Sequence, residues 1–502
     1  MAGERVQPCG SRRSFPCPAP ADGVLLAPED VARLDRLAIE AGTPGSVLME
    51  RAGTAVLRAI QARFARRPVV VLCGPGNNGG DGWVVARLLQ QAGWPVEAVS
   101  LVDPASLRGD AALAFAAWQA PWLPVEAALE RRPGLWVDGL FGAGLARDVT
   151  GRAARLIEHI LAQGTPVVAI DIPSGIDGTT GLVRGCALRA ALTVTFVRKK
   201  PGLVLLPGRL HAGEVVVADI GIGAGELDQV AGTVRINQPS LWRHLLPRRD
   251  ALSHKYRFGH AVVVGGPAAA TGAARLTAVT ALRIGAGVVS VACDPDALPL
   301  YAGESADLIT VPMADESVLD RLLADERRNA VAIGPAAGVT DRTRARILRL
   351  FESGRRLVLD ADALTAIAPC TGRLPAQGDV VLTPHEGEFH RLFPDLTGPR
   401  VERARLAAAI SGAVLVLKGG DTIVAAPDGR LAILDLAAPA LATAGAGDVL
   451  AGAILGLLAQ HMPAFEAAAA AVRLHAEAGA ALGPGMISAD LPRTIAGRLA
   501  LH

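Results

Sequence analysis

Short β-branched apolar runs, arranged in two successive series and separated by helical stretches, restrict this chain to a few architectures. The first series is Val69 to Leu72, Val96 to Leu101, Leu135 to Val137, Val167 to Ile170, Leu192 to Val197 and Val215 to Ile220. The second is Ala261 to Val264, Val288 to Ala292, Leu308 to Val311, Ala330 to Ile333, Leu357 to Leu359, Val380 to Leu382 and Val414 to Leu417. Runs that are apolar along their whole length belong to strands buried on both faces, and their alternation with helical segments such as Val84 to Gln91 predicts mostly parallel sheets covered by helices. Pro28 to Ala62 reads as helical, with a break at Gly42 to Gly45. At 502 residues the chain exceeds one ordinary core. The expected fold is therefore α/β with two three-layer α/β domains, at residues 24–225 and 250–502. A tail at 1–23 precedes them and a turn-rich linker at 226–249 joins them.

Composition removes several function classes. Fifty basic against 48 acidic residues, a net charge of +2, give no basic stripe of the kind that tracks nucleic acid. No apolar run approaches the roughly 18 residues of a spanning helix, so no membrane is expected. The six cysteines are too dilute for a disulfide framework and lack metal-ligand spacing, which suits a reducing cytoplasm. The tail carries Arg5, Arg12 and Arg13 among prolines, without a signal-peptide core.

Glycine-rich turns follow several strands, at the sheet edge where open α/β folds bind ligands. In the first series, Gly74-Pro-Gly-Asn-Asn-Gly-Gly-Asp-Gly82 leads into a helix expected near Trp83 and offers backbone amides to a phosphate at that helix's positive end. It matches neither the usual dinucleotide fingerprint nor a Walker loop, and a plain strand-to-helix turn is the alternative. Val137-Asp-Gly-Leu-Phe-Gly-Ala-Gly-Leu145 and Asp171-Ile-Pro-Ser-Gly-Ile-Asp177 converge on the same edge. Taken singly, Asp138 and Asp171 read equally well as helix caps. With Asn78 and Ser174 they offer hard oxygen ligands for a cation and a carboxylate for proton chemistry.

These loops, with Leu48-Met-Glu-Arg-Ala-Gly53, Arg198-Lys-Lys-Pro-Gly202 and Leu206-Pro-Gly208, resemble the NAD(P)H-hydrate epimerase family over about residues 27–223. The resemblance implies a Rossmann-like domain that interconverts the R and S hydrates of NADH and NADPH and binds potassium. On that resemblance Asn77, Asn78, Gly79, Gly80 and Asp81, with Gly142, Ala143, Gly144, Leu145, Ala146, Arg147 and Asp148, contact the hydrate. Asp171 contacts it as well and handles protons, while Asn78, Asp138 and Ser174 hold the potassium ion.

In the second series Ala442-Thr-Ala-Gly-Ala-Gly-Asp-Val-Leu450 opens an apolar helix. The amides of Gly445, Ala446 and Gly447 form a candidate anion hole, and Asp448 beside it is placed to accept a proton from a hydroxyl; a capping aspartate is the plainer alternative. Lys418-Gly-Gly-Asp-Thr422 offers a charge and amides to a nucleotide, or is an ordinary hairpin turn. Together with Gly265-Gly-Pro, Gly272-Ala-Ala-Arg-Leu276, Gly334-Pro-Ala-Ala-Gly338, Asp360-Ala-Asp-Ala-Leu364 and Thr383-Pro-His-Glu-Gly-Glu388, these elements resemble the ribokinase-like NAD(P)H-hydrate dehydratase family, from about residue 250 onward. The sequence departs from that pattern at Pro267, at Ala336-Ala337 and in Ala437-Ala-Pro-Ala440.

The resemblance implies phosphorylation of the hydrate's hydroxyl and loss of phosphate to restore NADH or NADPH. Asp448 is the implied base, and Ala273, Gly338, His385 and Asp448 the substrate contacts. Lys418, Gly419, Gly420, Asp421, Thr422 and Gly447 are the implied nucleotide contacts. His385 alone is as readily a structural loop histidine. Magnesium and ADP are the expected cofactor and donor, with ATP as the alternative, and a homo-oligomer is the expected assembly. Two other functions compete: a vitamin or sugar kinase fused to a dinucleotide-binding domain, and a non-catalytic nucleotide sensor.

Overall fold

The computed structural model describes residues 23–230, 232–368, 374–375 and 379–502. The tail expected at 1–23 therefore lies, apart from Gly23, outside the described residues. The strands are β1 Val69–Cys73, β2 Val96–Ser100, β3 Trp122–Pro124, β4 Leu135–Gly139, β5 Val167–Ile170, β6 Leu192–Phe196 and β7 Glu214–Ala218 in the first half. They continue as β8 Val234–Ile236, β9 His260–Val264, β10 Val288–Cys293, β11 Leu308–Pro312, β12 Arg328–Ile333, β13 Arg356–Leu359, β14 Val380–Leu382, β15 Val414–Leu417, β16 Ile423–Ala425 and β17 Leu431–Ile433.

The first sheet has the order β3-β2-β1-β4-β5-β6-β7 and is parallel throughout. Successive residues of β1 point to opposite layers. Val69, Val71 and Cys73 join the core beneath helices Gly45–Arg63 and Asn77–Gln91, and Val70 and Leu72 join the core beneath helix Gly151–Gln163. Because β1 lies between β2 and β4, the chain leaves in opposite directions at their carboxyl ends and opens a crevice there.

The second sheet has the order β11-β10-β9-β12-β13-β14-β15-β16-β17-β8 and turns antiparallel only at the β15-β16-β17 meander. It too is the middle of three layers. Val263 and Val291 face helices Ala446–Ala459 and Ala464–Leu482, whereas Val262 and Val264 face helices Asp341–Glu352 and Arg400–Ser411.

β8 lies inside the stretch read from sequence as linker, and it pairs in parallel with β17. Val24 and Leu25 add to its other side, the Leu25 amide donating to the Val234 carbonyl at 2.9 Å. Leu25, Val204 and Leu205 belong to the same apolar cluster as Leu431 and Ile433, so one core is continuous between the halves. Among the described residues, no helix is long and apolar enough to cross a membrane.

Candidate active sites

A cavity of about 720 Å³ occupies the crevice of the first sheet. The helix at its floor begins at Asn77, earlier than the start near Trp83 expected from the glycines. Close packing explains the difference. A Cβ on Gly79 would fall 1.9 Å from the Gly74 carbonyl oxygen, and one on Gly80 would meet Met49 at 2.6 Å, so these glycines are helical residues pressed against their neighbours. Asn77, Asn78 and Asp81 thereby reach the cavity wall from the first turns of a helix, and the positive end of that helix faces the crevice.

Gly142 to Arg147 and Asp171 complete the side predicted from sequence. Gly79 and Gly80 lie behind that wall, and exposed Asp148 is not part of it. Asp171 adopts φ +66°, and Val197, a β-branched residue, does the same at the end of β6. Such conformations cost roughly 1–3 kcal/mol each and concentrate at functional sites. Just beyond the Val197 turn the chain brings back Lys200, 1% exposed, whose Nζ donates to Asp171 Oδ1 at 2.5 Å, Thr195 Oγ1 at 3.0 Å and the Phe196 carbonyl at 3.2 Å. Asp171 Oδ2 accepts from the Ala143 amide at 3.2 Å, which ties the carboxylate to the glycine loop.

Asp35 also lines this cavity, and sequence reasoning missed it. The signal was present: Pro28, Val31, Ala32, Asp35 and Ile39 form one stripe of helix Pro28–Glu40, and Asp35 is the one acid in it. Burial raises the Asp35 carboxyl, opposed by nearby Lys200 and reinforced by Asp171. Asp81 is pushed well above the usual carboxylate range by burial and by Asp171 and Asp35, again opposed by Lys200. The cavity thus combines the Asp171–Lys200 ion pair with two carboxyl groups, Asp35 and Asp81, that burial and neighbouring negative charge raise.

Asp138 and Ser174 lie beneath the cavity wall, both fully buried. Asp138 accepts from Ser174 Oγ at 2.6 Å, from the Ser174 amide at 2.8 Å and from the Leu140 amide at 3.2 Å. Burial pushes it up to about 6 even against those hydrogen bonds. Ser174 Oγ in turn accepts from the Phe141 amide at 2.8 Å. Asn78 packs close to Gly142, and its buried Nδ2 has no hydrogen-bond partner.

The second site collects at the carboxyl ends of β12 to β15. Gly445, at φ +84°, precedes helix Ala446–Ala459, and a Cβ there would meet Ser488 Oγ at 2.5 Å. The opening of this helix faces a polar cluster in which Lys418 Nζ donates to Asp360 Oδ1 at 2.9 Å and Thr383 Oγ1 donates to the same oxygen at 2.7 Å. A Cβ on Gly447 would lie 3.6 Å from Lys418 Nζ and 4.0 Å from Asp360 Oδ2, which places the candidate anion hole directly over that pair. Asp448 is half-buried. Desolvation and the neighbouring Asp360 and Asp362 raise it to about 6, while Lys418 pulls it down. Thr277 Oγ1 bridges the Ala273 and Asp448 carbonyls at 3.0 Å each, joining two predicted substrate contacts.

Gly338, at φ +74°, donates its amide to Asp362 Oδ2 at 2.9 Å. His385 caps helix Glu386–Leu392. Its Nδ1 accepts from the Gly387 and Glu388 amides at 2.9 and 3.3 Å, and its amide donates to Glu388 Oε2 at 2.9 Å. That geometry gives the histidine a structural task, with its ring still half-exposed. In the nucleotide loop, Gly419 and Gly420 are exposed and Thr422 Oγ1 donates to the Gly419 carbonyl at 2.7 Å. Asp421, 3% exposed, is turned toward the first half of the chain and away from solvent.

A family model described as NAD(P)H-hydrate dehydratase matches residues 261–497, and one described as YjeF-related protein N-terminus matches residues 45–202. Curated relatives named bifunctional NAD(P)H-hydrate repair enzyme Nnr include one from Coxiella burnetii. It is 36% identical over 91% of this chain and 94% of its own length. Others come from Moorella thermoacetica, 37% identical over 91% of this chain and 92% of its own, and Escherichia coli, 33% identical over 93% and 92%. The structure of a ribokinase-like superfamily protein from Enterococcus faecalis matches with a TM-score of 0.50 at 24% identity. It covers 54% of this chain and 97% of that one, which supports the ribokinase-like fold of the second half.

Proposed function

The chain belongs to the family of bifunctional NAD(P)H-hydrate repair enzymes, and from that premise we propose how its residues divide the work. Residues 24–225 form the epimerase unit, 250–502 the dehydratase unit, and 226–249 the connection between them. In a hydrated nicotinamide, water has added to a ring double bond and left a hydroxyl on the carbon beside the ring nitrogen. Expulsion of that hydroxyl by the nitrogen lone pair gives a planar ring cation, and water returning to the other face inverts the centre. Asp81 protonates the departing hydroxyl, a role suited to a carboxyl whose proton affinity is raised by burial and by Asp171 and Asp35. Asp171, anchored by Lys200 and the Ala143 amide, takes the proton from the returning water. The first turn of helix Asn77–Gln91 and the Gly142 to Arg147 loop bind the rest of the dinucleotide.

Asn78, Asp138 and Ser174 would hold potassium. The fit rests on Asp138, a fully buried carboxyl whose hydrogen-bond partners are the Ser174 hydroxyl and the Ser174 and Leu140 amides, none of them charged, and on the orphaned Asn78 amide, whose 180° rotation would present an oxygen. When bound, the ion supplies the missing counter-charge. Asp138→Ala is expected to lower potassium affinity about tenfold or more. It should also remove the potassium-induced rise in melting temperature and the potassium dependence of R to S exchange. If wild-type enzyme is indifferent to replacing potassium by a large organic cation, the assignment fails.

In the second unit Asp448 takes the proton of the hydrate's hydroxyl as that oxygen attacks the terminal phosphoryl of the donor. The Gly445 to Gly447 amides hold the moving phosphoryl, and Lys418 neutralises charge beside them. The phosphorylated hydrate then loses inorganic phosphate, pushed out by the ring nitrogen, and the resulting ring cation gives up a proton from the adjacent ring carbon to restore NADH or NADPH. We take ADP as the donor, giving AMP. Magnesium would balance the phosphate charge when bound. Among the described residues no group of three metal-ligating His, Cys, Asp or Glu side chains is present, which fits an ion carried mainly by the nucleotide. The reading suits a cytoplasmic homo-oligomer that acts on small molecules alone.

The observation that carries this function is Asp448, raised to about 6 at the mouth of the glycine-rich helix, because a nucleotide sensor needs no base there. A base works in its deprotonated form, so kcat/KM for dehydration is expected to rise with pH through about 6 and level off above about 7. A rate that falls as pH rises through that range would make Asp448 an acid. Incubating mixed R and S hydrates with ADP or with ATP, and following the return of reduced-nicotinamide absorbance, tests the whole scheme. A stable phosphorylated product without that absorbance would favour a kinase.

A further inference from the structure

The segment from Lys200 to Arg209 belongs to both sites. At one end Lys200 pairs with Asp171 in the epimerase cavity. In the middle Val204 and Leu205 are buried in the core of the second sheet. At the other end the segment grips the dehydratase loop Lys418 to Thr422. The Leu206 amide donates to Asp421 Oδ2 at 2.9 Å, while Asp421 Oδ1 lies 3.6 Å from Arg400 Nη2. Arg209 Nη2 donates to the Gly420 carbonyl at 3.0 Å, and its Nη1 donates to the Leu434 carbonyl at 3.2 Å. A Cβ on Gly420 would lie 2.9 Å from Leu206 Cδ1, so the loop backbone sits directly against the epimerase segment.

Asp421 is thus occupied on both oxygens by protein groups, and the conformation of a two-glycine loop is dictated by a neighbour from the other enzyme. Glycine pairs have many accessible conformations, and an external clamp removes the entropy that a ligand would otherwise have to remove on binding. We propose that Arg209 and the Leu206 amide are positioning groups for the phosphoryl donor: the epimerase half holds the dehydratase's nucleotide loop in its binding form. The inference rests on the reading that residues 418–422 contact the donor.

The test uses full-length Arg209→Met, Arg209→Lys and Lys418→Met proteins. Donor KM and kcat are measured for dehydration at saturating S hydrate, and R to S exchange is measured without nucleotide. Arg209→Met is expected to raise the donor KM about tenfold, the scale of a lost charge-assisted hydrogen bond, with kcat changed less than about twofold and exchange unaffected. Arg209→Lys, which retains a donor able to reach one of the two carbonyls, should recover much of the affinity. If Lys418→Met weakens donor binding but Arg209→Met does not, the clamp has no role in positioning and the inference falls. An unchanged donor KM in Lys418→Met would overturn the loop assignment itself. Equal losses of kcat and exchange in Arg209→Met would point to general disruption of the interface and would also overturn the proposal.

Discussion

A folded Asp448→Asn protein is expected to dehydrate the S hydrate at least ~100-fold more slowly than wild type, the scale of lost general-base assistance, while R to S exchange proceeds at its normal rate. The amide matches the carboxylate in shape, so the opening of helix Ala446–Ala459 and the Lys418–Asp360 pair stay in place and donor affinity should change little. Removing a negative charge near Asp360 and Asp362 also relieves repulsion, and the variant should be no less stable than wild type. Exchange survives because every group assigned to it comes from the first half of the chain. Two measurements on one preparation decide the matter: donor-driven recovery of NADH from the S hydrate, and isomer exchange without donor. Wild-type dehydration in the variant would remove Asp448 from the mechanism.

The complementary result is expected from Asp171→Asn: loss of exchange by ~100-fold or more, with dehydration of pure S hydrate retained. This substitution also has a structural cost that Asp448→Asn lacks. Lys200 is 1% exposed, and without the Asp171 charge its buried ammonium keeps neutral acceptors, the new amide oxygen, Thr195 and the Phe196 carbonyl, but loses its ion-pair partner. Breaking a buried pair in this way costs about 3–5 kcal/mol, so the melting temperature should fall and the assay must be run well below the new midpoint. Lys200→Met with Asp171→Asn should restore part of the stability without restoring exchange. Activity that returns with stability would make the pair structural.

How much of this was legible beforehand varies with the range of the interaction. The parallel strands were visible because burial on both faces demands unbroken β-branched runs, as in Val69 to Leu72 and Val414 to Leu417. β3, β8, β16 and β17 were not; β3 ends in Pro124 and β8 is interrupted by Arg235, so neither forms an unbroken β-branched run like the equally short Val380 to Leu382. Loops such as Gly445 to Asp448 announce themselves, because clustered glycines mark backbone that is left-handed or closely approached, as Gly445 is at φ +84°. Lys200 stood inside a recognised motif without a role, since its partner Asp171 is 29 residues away and meets it only through the left-handed turn at Val197. Asp421 is the converse case: a glycine-rich loop gives no sign that its carboxylate accepts from the Leu206 amide, 215 residues away in sequence.

That same separation has a consequence during synthesis. Val204 and Leu205 leave the ribosome with the first sheet, but Leu431 and Ile433, strand residues of the same apolar cluster, appear only after most of the chain has been made. With 215 residues between Leu206 and Asp421, and elongation at roughly 5–20 residues per second, the completed first unit waits on the order of 10–40 s with this apolar patch uncovered. The nascent chain therefore presents to chaperones, and to neighbouring nascent chains, the surface that will later join its two enzymes. Substitutions there should reduce the yield of folded protein before they alter any rate constant of what does fold.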